Sequence, residues 1–491
     1  PVRQPDGQGR DRILVFEDTD LDGRFDRRTV FADDLNLVSG IEVGFGGVWV
    51  GAAPYLLFIP LEDGDEPRPA GPPRVLLDGW GYEDTHETLN TFTWGPDGWL
   101  YGLHGVFTHS AVGRPGTPEA ERVRLNAGVW RYHPVRHEFE VFSEGTSNPW
   151  GLDFDQHGHA IAVACVIPHL WHMVQGGRYQ RQAGQHFNAH HYDDLKTIGD
   201  HLHYAGSNPW AGIAQSGSVG GGHAHAGLMI YQGTSWPGQY RGQVFMNNIH
   251  GARINVDLLE RQGSGFVGRH GPDFITFNDR ASQIINLQYD HDGSVYLIDW
   301  YDHEQCHVTD PDIPDRGNGR IYKVAYGNTT ATRVNPQAEP DDVLVDAQLS
   351  LNEWRVRHAR RLLQERASAG TLDSGTIPRL RRLARLDTGD VRIPDGDSFR
   401  TPESTAARLR LMWALHVTGA LTANDLLTLL GDDDEQVRAW AVQLAAEGGT
   451  PPAPIAARFA ELAVSESSPV VQLYLASAAQ RMEHGARWPV V

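Results

Sequence analysis

Four times before residue 327 the chain repeats one local pattern, a glycine-containing turn followed by a short alternating strand. The runs are GFGGVWVGA (Gly44 to Ala52), GPDGWLYG (Gly95 to Gly102), DFDQHGHAIAVA (Asp153 to Ala164) and YDHDGSVYLID (Tyr289 to Asp299). A tight turn of this kind needs a positive φ, which glycine adopts without steric cost, so each run marks a hairpin. One hairpin unit recurring at long intervals is the signature of radially arranged blades. A β-sandwich is the competing arrangement.

After Gly327 the pattern changes. TTATRVNPQAEPDD is polar and proline-containing, as a linker is, and beyond it alanine, leucine and arginine dominate. LNEWRVRHARRLLQ, AARLRLMWALHV, DEQVRAWAVQLAAE and SPVVQLYLASAAQ each space apolar residues by three and four, the helical period. Val356, Leu409, Val437 and Val471 are the corresponding core positions. Helix pairs recurring in this way suggest a solenoid of HEAT type. The expected architecture is an all-β six-bladed β-propeller over residues 1–327, a linker over 328–345, and an all-α HEAT-like helical repeat domain over 346–491.

Charge narrows the partners. Against 42 basic residues stand 62 acidic ones, a net charge of -20, which repels nucleic acid and anionic membrane surfaces. No run approaches the roughly 18 apolar residues of a membrane span, and PVRQPDGQGRDR holds no hydrophobic signal core. The expectation is a small-molecule or oligosaccharide substrate, no nucleic acid, and no membrane span in this chain. Cys165 and Cys306 form neither a CxxC metal pair nor a haem-attachment motif, and whether they pair is left open by the sequence.

Two constellations offer chemistry. In DTDLDGRFD, Asp18, Asp20, Asp22 and Asp26 surround Gly23, a spacing that gathers hard oxygens as calcium prefers, although Thr29 stands where a full loop of that kind has its bidentate glutamate. An acidic hairpin turn is the other reading. Histidine is the stronger anomaly: of 24 histidines, 21 precede Gly327 and nine fall between His169 and His225. Imidazole is a proton-transfer group near neutral pH and a neutral metal ligand, so this density points to a site in the propeller's central depression. In GGGHAHAG, His223 and His225 share one side of an extended strand, as a shared transition metal or substrate requires.

The chain resembles the glucose/sorbosone dehydrogenase-like β-propellers, most closely the planctomycete-type membrane-bound dehydrogenase proteins that join such a propeller to HEAT repeats. The likeness covers His86 to Gly327. HETLNTFTWGPDGWLYG is similar to the blade in which a histidine precedes a Gly-Pro-Asp-Gly strand, and GTSNPWGLDFDQHG to the family's Arg-Asn-Pro-x-Gly motif. HAGLMIYQGTSWPGQYRGQVFMNN resembles a further blade, and SQIINLQYDHDGSVYLIDWYD with GRIYKVAYG the closing one.

The resemblance implies a carbohydrate-directed oxidoreductase with pyrroloquinoline quinone in a polar central cleft and calcium beside it. His86 would take the hydroxyl proton, with His104 and His250 in the same cleft as catalytic candidates. Asn148, His109 and Arg253 would contact the cofactor. It also implies export to an extracytoplasmic compartment, a longer precursor, and a cytochrome c electron acceptor. Two positions depart from the family: its arginine before Asn-Pro is Ser147 here, and its closing-blade arginine is replaced by Ser282. A tricarboxylate loses charge-assisted contacts of about 1.5 to 3 kcal/mol with each missing arginine. Two further readings keep the fold. In one, a divalent metal held by His223, His225 and further histidines serves lyase or hydrolase chemistry. In the other, propeller and solenoid form a binding module without catalysis.

Overall fold

The computed structural model describes residues 2–64, 66–85, 88–187, 192–203, 224–303, 313, 315, 317–327, 329, 332–387 and 399–491. The first part is built of antiparallel sheets. Strands β1 (Asp11–Glu17) and β2 (Arg27–Leu35) pair with each other, and β3 (Val38–Gly44), β4 (Gly47–Ala52), β5 (Tyr55–Pro60) and β6 (Arg74–Asp78) form a four-stranded meander. β7 (Asn90–Trp94) and β8 (Leu100–His104) are followed by the small pair β9 (Ser110–Val112) and β10 (Val123–Leu125). β11 (Gly128–His133) and β12 (Glu138–Thr146) then continue the β7–β8 sheet. The next sheet holds β13 (Asn148–Phe154), β14 (Ala160–Cys165) and β15 (Leu170–Met173), after which β16 (Arg178–Arg181) joins β12 in parallel. β17 (His225–Ile230), β18 (Val244–Asn248), β19 (Arg253–Gln262) and β20 (Gly265–His270) form another meander, edged by β21 (Ile275–Thr276). β22 (Ile284–Tyr289), β23 (Val295–Asp299) and β24 (Arg320–Val324) form the last sheet.

The first strands of successive sheets stand side by side, β3 with β7, β7 with β13, β13 with β17 and β17 with β22. Between the sheets lie separate apolar layers. Trp49, Phe92 and Trp130 fill the first, Tyr101, Phe154 and Trp171 the next, and Ile161, Leu228 and Met246 the one after. Sheets stacked face to face through such layers bury both faces of each, and the sequence reads accordingly: β4, β8, β11, β14, β17 and β18 are buried along their whole length.

The four repeated runs supply the turns between first and second strands. Gly46, Gly98, Gly158 and Gly293 sit there at φ of 70°, 82°, 78° and 79°, where only glycine is unstrained. A side chain at Gly158 would also come within 2.5 Å of Trp440. These turns are the docking end of the sheets. The Phe45 amide donates to Glu365 at 2.8 Å and Gln364 Nε2 to the Gly98 carbonyl at 3.1 Å. The Trp440 indole donates to the His157 carbonyl at 2.6 Å and Asn352 Nδ2 to the His291 carbonyl at 2.8 Å.

All of these partners belong to the helical region: α1 (Asp341–Asp346), α2 (Glu353–Ala369), α3 (Thr376–Leu383), α4 (Thr405–Val417), α5 (Ala423–Leu429), α6 (Glu435–Ala445), α7 (Ala453–Ser465), α8 (Pro469–Arg481) and α9 (His484–Arg487). The first α-helix of this region thus opens at Asp341, inside the segment expected to be linker and after a 3-10 turn at Pro336–Ala338, because two aspartates in the first turn after Pro340 favour a helix N-terminus. Asn352, Ser404, Asp434 and Ser468 each cap a helix start with a side-chain oxygen, and Thr422 with Asp425 forms a capping box. α2, α4, α6 and α8 pack on one another in that order as an inner layer, with α3, α5 and α7 against them.

Burial sets the protonation of several histidines and, through it, a pH dependence. Burial pushes His104 and His358 down to about 4, and His133, His159 and His172 down to about 3. A folded pKa below the unfolded value of about 6.5 means that the unfolded chain binds more protons between the two, so stability falls as pH drops through that window. The melting temperature is therefore expected to hold above pH 7 and to fall steeply from pH 6.5 to 4. A flat profile over that range would remove these residues from the account.

Candidate metal centre

First strands run from one shared end toward the helices, so the opposite end collects the starts of β7, β13 and β17 and the ends of β8, β14 and β18. Asn90, His104, Asn148, Cys165, His225 and Asn248 all stand at this end, in the register that pairs Asn148 with Cys165 and His225 with Asn248. The contacts continue across sheets. The Val106 amide donates to Asn148 Oδ1 at 3.1 Å, and Cys165 Sγ donates to the His225 carbonyl at 3.1 Å.

Between the β13–β15 and β17–β20 sheets, above their shared apolar layer, lies a group of imidazoles around one carboxylate. His169 Nε2 is 2.8 Å from Asp257 Oδ2; His203 Nε2 and His201 Nε2 are 3.1 and 3.2 Å from Oδ1; and the two latter nitrogens are 3.2 Å apart. One ligand atom from each of the four residues lies within 4.8 Å of the others. The side chains of His169, His203 and Asp257 are 0% exposed and that of His201 is 18% exposed. The second ring nitrogens, Nδ1 of His169 and of His203, are buried and have no hydrogen-bond partner among the described residues. His225 flanks the group, its ring 5.1 Å from His169 and 5.2 Å from His203, and His270 stands 5.0 Å from His201 and 4.8 Å from His203 on the solvent side.

The fold delivers these residues from three separate pieces. His169 closes the β14–β15 turn, its carbonyl accepting from the Ala164 amide at 2.9 Å. Asp257 lies within β19, on the face it shares with Asn255 and Arg253. His201 and His203 come from a connecting segment laid along β20, where the Asp200 amide donates to the Gly268 carbonyl at 3.1 Å.

Electrostatics favours the ligand form at Asp257 and His203 but not at His201, where burial acts to lower the imidazole and the hydrogen bonds to Asp257 and Asp200 raise it on balance. Burial acts to raise Asp257, but His169 beside it and the hydrogen bonds from His169, His201 and His203 hold the carboxyl far below its usual range. Burial and the neighbouring His169 push His203 down to about 3 despite Asp257. An ionised carboxylate beside a neutral imidazole is the ligand state of both residues.

The other sequence candidates are distributed as follows. His86 and His223 lie outside the described residues, as does Cys306. His104 is fully buried, with Nδ1 2.9 Å from the Gly105 carbonyl and Nε2 2.6 Å from Ser110 Oγ. His109 is exposed and His250 half-buried in the turn after β18. Arg253 is turned to Asp273 at 2.7 Å. Asp18, Asp20 and Asp22 do gather their carboxylates in the β1–β2 turn. Those of Asp18 and Asp22 already accept the amides of Gly23 and Arg24 at 2.8 Å. Asp26 does not join them: its carboxylate accepts from Thr19 Oγ1 at 2.5 Å and from the Thr19 amide at 2.9 Å.

The quinone expectation meets the same structure at Ser147 and Ser282. The Ser147 hydroxyl is buried against Gln182, and Ser282 Oγ donates to Asp299 Oδ2 at 3.1 Å. Neither position presents a cation, and Arg253 is already paired, so these residues do not fit a tricarboxylate cofactor.

Comparison with known proteins gives a family. No curated protein matches. Among solved structures, the PQQ-bound aldose sugar dehydrogenase of Streptomyces coelicolor aligns at 14% identity and a TM-score of 0.39, over 62% of this chain and 86% of that one. A glucose dehydrogenase aligns at 14% identity and 0.40, over 67% of this chain and 100% of that one. A luciferin-regenerating enzyme aligns at 13% and 0.35, over 62% and 83%. A likeness at this level says nothing about what this chain binds. The family model described as "Domain of unknown function (DUF7133)" matches residues 1–328, the whole sheet region, and the chain belongs to that family.

Proposed function

We propose that this protein is a metal-dependent enzyme of the lyase or hydrolase class, acting on a small hydroxylated substrate of the carbohydrate type, with a divalent transition metal held by His169, His201, His203 and Asp257. The observation that carries the reading is the gathering of three imidazole nitrogens and one carboxylate oxygen within 4.8 Å of one another, on three buried residues and one partly exposed one. Nitrogen-rich sets of this kind suit zinc, iron or manganese better than calcium or magnesium. An ion of coordination number above four keeps positions for substrate oxygens, and such an ion polarises a carbonyl or acidifies a bound hydroxyl. His201 and His270 line the side open to solvent, and His225 stands against the opposite flank as a proton acceptor or donor. His86 and His223 remain candidates for the same polar end of the sheets.

The sheets are read as a six-bladed propeller with β1–β2 as a partial blade, supported by the side-by-side first strands and the layered cores. The paired helices are read as HEAT-like, with domain limits of 1–327 and 346–491 apart from the early start of α1. Calcium at Asp18, Asp20 and Asp22 is supported by the gathered carboxylates alone. Pyrroloquinoline quinone, a cytochrome c acceptor and an extracytoplasmic location rest on the resemblance to sugar dehydrogenases; the last is compatible with this reading too.

The test is elemental analysis of purified protein, followed by turnover assays on uronate-containing oligosaccharides and glycosides before and after chelation. One transition-metal ion per chain and activity lost with the ion are expected. Metal-free protein that takes up quinone and oxidises sugars would replace this reading with the dehydrogenase one.

A further inference from the structure

We propose that Asp200 is a positioning residue of this centre, holding His201 in the tautomer and orientation that aim its Nε2 at the ion, with Arg269 holding Asp200 in turn. The inference rests on the metal-centre reading. His201 is the ligand least fixed by its surroundings. It lies in no strand and is the one partly exposed member of the four. What restrains it is visible at its other nitrogen, where Nδ1 stands 2.9 Å from Asp200 Oδ1. With an ion bound, a proton kept on Nδ1 and donated to that carboxylate leaves the Nε2 lone pair for the ion, and it raises the basicity of the ligand.

The carboxylate is itself anchored. Arg269 Nη1 donates to Asp200 Oδ2 at 2.5 Å, and Arg269 Nε donates to Glu260 Oε2 at 3.0 Å, so the chain His201, Asp200, Arg269, Glu260 crosses from the connecting segment to β20 and β19. The backbone follows the same path. Gly199 bridges to Gly268, and the Gly268 amide donates to the Ile198 carbonyl at 2.7 Å. Thr197 Oγ1 donates to the Leu170 carbonyl at 2.7 Å, tying the segment to β15 as well. A side chain at Gly199 would approach His169 Cε1 to 3.2 Å, which explains how closely the segment runs beside a second ligand. Surface ion pairs contribute little to stability. An exposed pair that ends on a candidate ligand has a local task instead, namely orientation.

The experiment uses the full chain, stripped of metal and titrated with cobalt(II) and zinc(II) against a competing chelator, with the visible spectrum of the cobalt form recorded. Asp200→Asn is expected to weaken binding by roughly 10- to 100-fold and to shift the cobalt spectrum, while leaving the melting temperature of the metal-free protein unchanged. Asp200→Glu should fall between that variant and the parent, and Arg269→Gln should weaken binding in the same direction. If the parent binds one ion and Asp200→Asn binds it equally with the same spectrum, the positioning role is wrong and the metal centre stands. Should the parent bind neither ion, the metal-centre reading fails and this inference with it.

Discussion

Asp257→Asn protein is expected to be purified folded and without its ion. Asp257 supplies the only negative charge among the four converging residues, and its two oxygens face all three imidazoles at 2.8 to 3.2 Å. Asparagine keeps the shape but offers one weak neutral oxygen, and the loss of affinity should exceed the roughly 10- to 100-fold of a second-sphere change. Elemental analysis and cobalt titration measure the effect, and circular dichroism controls for folding. If removing a carboxylate buried to 0% exposure disturbs the sheet, His201→Gln is the complementary variant, because His201 is partly exposed and lies outside the strands. Full metal occupancy in both variants would refute the centre.

The second large effect lies where sheets meet helices. Arg131, in β11, is 1% exposed; its guanidinium reaches Asp97 at 2.7 Å and Glu140 at 2.5 Å and lies 4.3 Å from the Trp99 ring centre. Glu140 also binds Arg481 of α8 at 3.0 Å, and Arg136 binds Glu447 at 2.5 Å beside His416. Arg131→Ala leaves the Asp97 carboxylate buried and unpaired, which costs about 3–5 kcal/mol in comparable cases. Replacing both charges, Arg131→Met with Asp97→Leu, should recover much of that loss, because the pair's desolvation disappears with it. Urea unfolding reads both. A loss below about 1 kcal/mol for Arg131→Ala would show that water reaches Asp97 once the guanidinium is gone.

Much of the fold was legible in short stretches of sequence. The four glycine turns announced themselves because a positive φ is a demand of four or five residues on one another, independent of the rest of the chain. The helices were legible for a similar reason, since a three- and four-residue spacing is local. The helix at Asp341 was missed because a six-residue element has too few turns to show a period. The site was legible only as a region. Three of the four clustered residues fall in the histidine-dense stretch from His169 to His225, and His225 stands beside them. The same alternation seen in His223 and His225 also occurs in His201 and His203, a signal that was there to be read. Asp257 gave none: one aspartate in NVDLLERQ looks like any polar residue of a strand.

By itself the sequence determined where strands turn, where helices begin to dominate and what kind of side chain is abundant, because those properties depend on neighbours a few bonds away. The tertiary structure alone decided which histidines meet. His169 arrives from a turn, Asp257 from the middle of β19, and His201 with His203 from a segment that hydrogen-bonds to β20. Their convergence depends on the register of two sheets and the spacing between them, set by the packing of Ile161, Leu170, Leu228 and Met246 in the layer below. Coordination is a matter of ångströms between residues up to 88 positions apart, and only the packed core fixes distances of that kind.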